Sequence, residues 1–173
     1  MKKQLSNVSL IIGALLALSA FTVSAYDGGK LRARLVGSQE VPVVSTQASG
    51  DFEARVESDN TVTFKLSYKN IEGGAVAQAH IHLGQRSVNG GVMAFLCGGP
   101  KPACPASPAT VEGTINAADI LGLSTQQLPA GGLEEFVRAL RNGTAYANVH
   151  TAMSPGGEIR GQIKGDDDDD HDR

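Results

Sequence analysis

Two histidines separated by one residue, His80 and His82, are the side chains of this sequence best suited to chemistry. Side chains alternate between the two faces of a strand, so both imidazoles would leave the same face, about 6.6 Å apart along the backbone. Outside the C-terminal tail one further histidine, His150, ends a second alternating segment, residues 145–150. If the two strands are neighbours, three neutral nitrogen donors converge, and imidazole suits copper and zinc.

Three protein ligands would leave one coordination position open for water, an oxygen species or a partner's ligand. Tyr146 and Asn148 have the same strand parity as His150, so they are candidates for orienting one of the rings. The alternative is a purely structural role, in which the histidines bond only to backbone carbonyls or carboxylates. The residue types alone leave both roles open.

Arg160 is expected close to His150, because the short turn at residues 154–157 predicts a hairpin that joins their strands. Its fixed positive charge could steer superoxide or another small anion toward a bound metal. The alternative is that Arg160 pairs with a carboxylate such as Glu158 or Glu40.

Apolar residues at every second position predict the strands that would position these side chains. The predicted strands cover residues 31–35, 52–56, 62–68, 76–83, 91–96, 110–115, 144–150 and 159–163. The segment 40–44 contains a proline and is predicted as an edge strand or a loop. Apolar residues at helical spacing predict one short helix, residues 133–140. About eight short strands with one helical insertion indicate an all-β fold, an antiparallel β-sandwich or barrel.

The N-terminus has the pattern of a secretory signal peptide. Lys2 and Lys3 precede an apolar run, residues 8–21, which ends in small residues before Tyr26. This pattern predicts cleavage after residue 25, whereas the alternative, an uncleaved membrane anchor, would need a longer apolar run. We therefore expect a periplasmic or extracellular protein without a membrane span after cleavage.

The charged residues divide the mature chain into a neutral body and an acidic tail. Residues 26–165 contain 12 basic and 12 acidic side chains, whereas residues 166–173 contain six aspartates and no apolar residue. A neutral body argues against nucleic acid as a partner. The tail is predicted to be disordered.

Cys97 and Cys104 are the two cysteines of the sequence. In an exported protein they are expected to form a disulfide that closes the short loop between them. A redox-active pair is the alternative, but such pairs usually have the Cys-x-x-Cys spacing.

The order of several motifs resembles that of the CHRD domain, the module first described in chordin. The motifs are Gly37–Pro42, Ala79–Gly84, Asn89-Gly90, Gly143–Thr151 and Pro155–Gln162. The resemblance covers about residues 31–163 and implies that residues 26–165 form one CHRD domain of the bacterial exported kind. Ser87 stands where the family usually has glycine, and the cysteine loop and the helical insertion depart from the family pattern. The family has no settled biochemical activity.

The histidines are also similar in type and order to the copper ligands of copper-zinc superoxide dismutases. Those barrels have a His-x-His pair on one strand, a third copper histidine on a later strand and an anion-guiding arginine near the chain end. His80, His82, His150 and Arg160 fit that order, which implies a superoxide dismutase-like β fold. The strand pattern alone also allows an immunoglobulin-like fold. No histidine between His82 and His150 supplies the fourth, zinc-bridging ligand, so the body offers at most a mononuclear site.

We therefore expect an exported binding or scaffold protein with a three-histidine site for copper, or alternatively zinc. Its partners would be a metal ion and an extracytoplasmic protein or small anion. The alternative function is that of a copper-dependent enzyme of the superoxide dismutase type.

Overall fold

The computed structural model of the protein describes residues 29–165, so the predicted signal peptide and acidic tail lie outside the described residues. The strands are β1 (Lys30–Val36), β2 (Ser49–Val56), β3 (Val62–Lys69), β4 (Val76–Leu83), β5 (Gly91–Cys97), β6 (Ala109–Ile115), β7 (Ala145–Thr151), β8 (Ile159–Gln162) and β9 (Lys164–Gly165). One α-helix, α1 (Leu133–Arg141), precedes β7. Single 3₁₀ turns occupy Gly37–Gln39, Ala117–Asp119 and Ser124–Gln126.

Eight strands form one antiparallel sheet in the order β5-β4-β7-β8-β1-β2-β3-β6, and the two-residue β9 pairs with β1. The sheet curls until its edge strands β5 and β6 are neighbours, which makes it a nearly closed, barrel-like structure. The predicted fold class, an antiparallel all-β domain of about eight strands with one helix, is therefore confirmed. Segment 40–44, predicted as an edge strand or a loop, is a loop.

The inward side chains of the strands fill the sheet interior with apolar residues, as the period-two pattern predicts. Fully buried examples from different strands are Leu35, Phe52, Leu66, Ile81, Val149 and Ile159. Helix α1 contributes Phe136, Val137 and Leu140 from one face, which matches the predicted helical spacing, and it packs against β7 and β9. Within residues 29–165, no helix is long and apolar enough to cross a membrane.

The gap between β5 and β6 is bridged by the cysteine loop. Cys97, the last residue of β5, and Cys104 lie at disulfide-bonding distance, with their Cα atoms 5.0 Å apart. Lys101 in the same loop forms an ion pair with Asp119, which follows β6. The predicted cysteine pairing therefore fits the structure and closes this loop, and the ion pair of Lys101 fastens the loop to the segment after β6.

The outward side chains of the sheet have two different environments. On β4, β7 and β8 they are buried under loops, and we call this the covered face. Its polar residues on these strands are His80, His82, Asn148, His150, Arg160 and Gln162, and two buried carboxyls, Glu40 and Glu158, border them and are counted with this face. On β1, β2, β3 and β6 they are mostly exposed, and we call this the open face; its charged residues are Lys30, Arg32, Arg34, Asp51, Glu53, Arg55, Lys65, Lys69 and Glu112. The histidines therefore belong to a surface that the chain itself closes off from solvent.

Candidate metal centre

Antiparallel pairing of β4 with β7 brings the three histidines of the covered face together. His80 and His82 lie on β4, and His150 on β7 is paired with Gln78, two residues before His80. The centroid of the His80 ring lies 5.3 Å from the centroid of the His82 ring and 4.7 Å from that of the His150 ring. All three side chains are buried. The predicted convergence of the three histidines is confirmed, and the group could hold a metal ion.

One nitrogen from each ring lies within 4.8 Å of the others. The shortest separation, 3.1 Å, joins His80 Nδ1 and His150 Nε2. Nitrogens bound to one ion at about 2.0–2.1 Å are about 3.3–3.6 Å apart in tetrahedral or trigonal geometry. The His80–His150 nitrogen pair is therefore within a few tenths of an ångström of ligand spacing, and closing the widest gap by about 1 Å would complete the geometry.

Backbone carbonyls fix the protons on two of the rings. His82 Nδ1 donates to the Gly90 carbonyl at 3.0 Å, and His150 Nδ1 donates to the Pro155 carbonyl at 2.9 Å. Because a carbonyl oxygen can only accept, each Nδ1 must carry the proton, and each Nε2 keeps its lone pair. This arrangement of an outer acceptor behind each ring is typical of metal-ligating histidines.

His82 Nε2 is buried and has no hydrogen-bond partner. Leaving such an acceptor unsatisfied costs about 1–3 kcal/mol, so natural proteins rarely tolerate one without a reason. A metal ion coordinated at that atom would remove the cost. The residues present therefore fit a bound metal.

His80 completes the set through its two ring nitrogens. Its Nε2 lies 3.1 Å from Gln78 Oε1, and its Nδ1 lies against His150 Nε2. When Nε2 donates to the amide oxygen, the lone pairs of Nδ1 and of His150 face each other, an arrangement that a shared cation stabilises. The donor set is then Nδ1 of His80 with Nε2 of His82 and of His150.

The environment keeps all three rings neutral. Burial lowers the pKa of His80 to about 3, with further contributions from His150 and His82. Burial likewise lowers the pKa of His82 to about 4, although its bond to Gly90 opposes the shift. Burial also lowers the pKa of His150. Neutral imidazole is the form that binds metal, so near neutral pH no proton has to be displaced.

Aromatic side chains hold two of the rings in place. Tyr146 stacks on His82 with centroids 4.7 Å apart and planes 4° from parallel, and its hydroxyl accepts from the Gly90 N–H at 3.2 Å. Phe95 meets His80 edge-on at 4.4 Å. The strand parity of Tyr146 already suggests it as a residue that orients a ring. Only the structure shows that Tyr146 and His82 both hydrogen-bond to Gly90.

Arg160 is buried, with 1% of its surface exposed. Its guanidinium donates to the carbonyls of Gln85 and Val88 at 3.0 and 2.9 Å and to Asn89 Oδ1 at 3.3 Å. It thereby anchors the loop that presents Gly90 to His82. The predicted anion-steering role of Arg160 stays a prediction, and so deep a burial gives it no support.

Glu158, considered as a partner of Arg160, instead fastens two covering loops. Its carboxylate accepts from Thr46 Oγ1 at 2.9 Å and from the N–H groups of Glu72 and Gly73 at 2.8 and 2.9 Å. Burial disfavours the charged form, but these hydrogen bonds outweigh it and lower the pKa of Glu158. The sequence suggests Glu158 only as a partner of Arg160. Its role in joining two loops is not predictable from the sequence, because Thr46, Glu72 and Gly73 are distant from it in the chain.

Glu40 is the other buried carboxyl of this region. Both of its oxygens lie 3.3 Å from Asn148 Nδ2. Burial raises the pKa of Glu40 to about 7, although Asn148 and Arg160 oppose the shift. Asn148 therefore contacts Glu40, and the structure records no bond from it to a histidine ring.

Comparison with known families supports the motif pattern, because the family model of the CHRD domain matches residues 31–163. The chain belongs to the CHRD domain family. A search of curated proteins and a search of solved structures each found no match. The similarity to superoxide dismutases therefore rests on the residue types and their order.

The CHRD motifs meet on the covered face, although they are far apart in the chain. Four of the five motif segments supply buried polar residues on or beside this face: Glu40, His80, His82, Asn148, His150, Glu158 and Arg160. Ser87, which stands where the family usually has glycine, has φ of 63°. Glycine enters this left-handed region without steric cost, so the backbone conformation of this chain favours glycine at the position of Ser87.

Proposed function

We propose that this protein is an exported CHRD-domain binding module that holds a single copper ion at His80, His82 and His150. The observation that supports it most strongly is the set of three converging neutral imidazoles. Two of them donate outward to backbone carbonyls, and His82 Nε2 lacks any other partner.

The burial of the site favours holding an ion over rapid turnover. The three side chains are only 5–8% exposed, and loops cover the sheet above them. A three-donor set still leaves a coordination position open, which would allow a partner protein to deliver or receive the ion. We therefore favour a scaffold or carrier role with an extracytoplasmic partner.

Copper is favoured over zinc by the similarity of the three histidines to the copper ligands of the superoxide dismutases and by the signs of export, and imidazole is a ligand that suits copper. Export is supported by the cysteine pair at disulfide-bonding distance and by the signal-like N-terminus. Disulfides persist in oxidising compartments, such as a periplasm or the extracellular space.

A superoxide dismutase-like activity is the second candidate, since the three-histidine set resembles part of such a copper site. A superoxide-decay assay on the copper-loaded protein separates the two functions. With a chelator present to suppress the activity of free copper, the binding module is expected to leave the decay rate at that of the metal-free protein, whereas the enzyme would accelerate it by orders of magnitude.

The binding proposal is tested by equilibrium dialysis against copper and against zinc, followed by elemental analysis. We expect about one tightly held ion per chain, and a loss of affinity of at least about 100-fold in each of His80→Ala, His82→Ala and His150→Ala. His171→Ala, which removes the tail histidine, is the matched control and should bind as the unsubstituted protein does. Equal binding by all four variants would refute the site.

A further inference from the structure

Three flat side chains from adjacent strands form a stack on the covered face. The Arg160 guanidinium carbon lies 3.4 Å from the ring centroid of Tyr146, which in turn lies 4.7 Å from that of His82. Since β7 lies between β4 and β8, Tyr146 is the middle layer. These distances place the guanidinium carbon within about 8.1 Å of the His82 ring centroid.

The charge of Arg160 is poorly neutralised. Its three hydrogen-bond acceptors are uncharged: the carbonyls of Gln85 and Val88, and Asn89 Oδ1. Within residues 29–165, no carboxylate oxygen forms an ion pair with it at 4.0 Å or less. A buried cation of this kind acts at short range with little solvent screening.

Glu40 is the carboxyl that interacts electrostatically with Arg160, although the two form no ion pair. Burial raises the pKa of Glu40 to about 7, so a large share of these carboxyls is uncharged near neutral pH. The candidate ligands are also uncharged, because the cluster among the described residues consists of histidines alone. An ion bound there would therefore be exposed to the positive electrostatic potential of Arg160, and it would have no anionic ligand to offset that potential.

Such a surrounding discriminates between ions by charge. A fixed positive charge on the order of 10 Å away, at an effective dielectric constant of about 20, weakens binding by about tenfold for each unit of charge on the ion. A divalent ion therefore loses about tenfold more affinity than a monovalent one. Three neutral nitrogens are in turn a sufficient ligand set for a monovalent copper ion.

We propose that the three-histidine centre is selective for cuprous copper, and that Arg160, acting across the Tyr146 ring, disfavours cupric copper and zinc. This inference rests on the proposed function and specifies the ion that the site carries. Arg160 is then a positioning and tuning residue, because it anchors the loop that bears Gly90 and sets the local charge.

The test is an anaerobic titration with Cu(I) against a chromogenic Cu(I) chelator, alongside titrations with Cu(II) and Zn(II) against a carboxylate chelator. The full protein should bind Cu(I) more tightly than either divalent ion. Arg160→Gln, which removes the charge, should lower the ratio of the Cu(II) to the Cu(I) dissociation constant by about tenfold. For a one-electron couple, this corresponds to a midpoint potential of bound copper lower by about 59 mV. Arg160→Lys should restore at least half of the shift.

Glu40→Gln provides an independent variant if Arg160→Gln does not fold. At pH 8, where Glu40 is largely ionised, this substitution removes a negative charge near Arg160 and should raise the same ratio. Unchanged ratios in Glu40→Gln, and in Arg160→Gln if it folds, would overturn the tuning role. Preferential binding of Cu(II) that depends on the histidines would overturn the cuprous inference alone, whereas preferential binding of Zn(II) would also overturn the choice of copper in the proposed function. Failure to bind any of the three ions would refute the proposed function itself.

Discussion

The covered and open faces have the same strand pattern but different consequences for the outward side chains. On the open face, Arg32, Glu53, Lys65 and Glu112 are in register across four strands, in alternating charge and largely exposed. On the covered face, histidines, an arginine and two carboxyls are buried and held in specific hydrogen bonds. The comparison shows that the loops above the sheet, rather than the strand pattern, decide where chemistry is possible.

A buried carboxylate should matter far more to folding than an exposed one. In the unsubstituted protein the Glu158 carboxylate accepts hydrogen bonds from backbone N–H groups. Glu158→Gln would place an amide NH₂, which is itself a donor, against one of these N–H groups, so we expect a loss of about 2–3 kcal/mol in the free energy of unfolding. Urea denaturation measures it. The matched control on the open face is Glu112→Gln, whose side chain is 64% exposed and pairs with Lys65 at 3.2 Å, and it should cost less than about 0.5 kcal/mol. Similar losses in both variants would remove the distinction between the faces.

Gly90 tests whether the covering loop matters for binding. A Cβ at this position would meet the backbone carbonyl of Leu83, so Gly90→Ala must displace the backbone whose carbonyl orients His82. We expect metal affinity to fall by about 10–100-fold, the usual effect of disturbing a group that orients a ligand. Gly156→Ala is the control, because a Cβ there meets nothing within 4 Å. An unaltered affinity in Gly90→Ala would show that the carbonyl does not orient the ring.

Acid should destabilise the metal-free protein through the covered face. The folded pKa values of His80 and His82, about 3 and about 4, lie below the ordinary 6.5, so the unfolded chain takes up protons first. Their contribution to stability is therefore present above about pH 6.5 and lost as the pH falls toward those values. Urea midpoints at pH 7 and pH 5 measure this loss.

Glu40 opposes the effect of the histidines in this pH window. Its pKa, raised from 4.5 to about 7, means that its contribution is complete below pH 4.5 and is lost as the pH rises through 7. The decrease in stability between pH 7 and pH 5 should therefore be larger in Glu40→Gln than in the unsubstituted protein. A smaller decrease in the variant would contradict the raised pKa.

The smallest expected effect concerns Ser87 in the loop between β4 and β5. Because Ser87 has φ of 63°, Ser87→Gly relieves an unfavourable backbone conformation, although glycine also increases the entropy of the unfolded chain. We expect a net gain of about 0.5–1 kcal/mol in the free energy of unfolding. A loss of stability in this variant would mean that the left-handed conformation carries no cost here.

Local periodicity is enough to predict the sheet, the helix and the shared face of His80 and His82, because alternation and helical spacing are properties of neighbouring residues. That the strand of His150 is the neighbour of β4 does not follow, because other strands have the same length and pattern; the pairing is known from the structure. What covers the face does not follow. The bonds of Glu158 to Thr46 and Glu72, and of Arg160 to the loop before Gly90, join residues between 71 and 112 positions apart. No local pattern marks such contacts.

X-ray absorption at the copper edge of the loaded protein tests most directly whether one ion sits among three imidazoles. We predict a shell of three nitrogen donors at about 2.0 Å, with the outer-shell scattering typical of imidazole rings, and one ring fewer in His82→Ala. An oxygen-dominated shell without imidazole scattering, or a spectrum that His82→Ala leaves unchanged, would contradict the account.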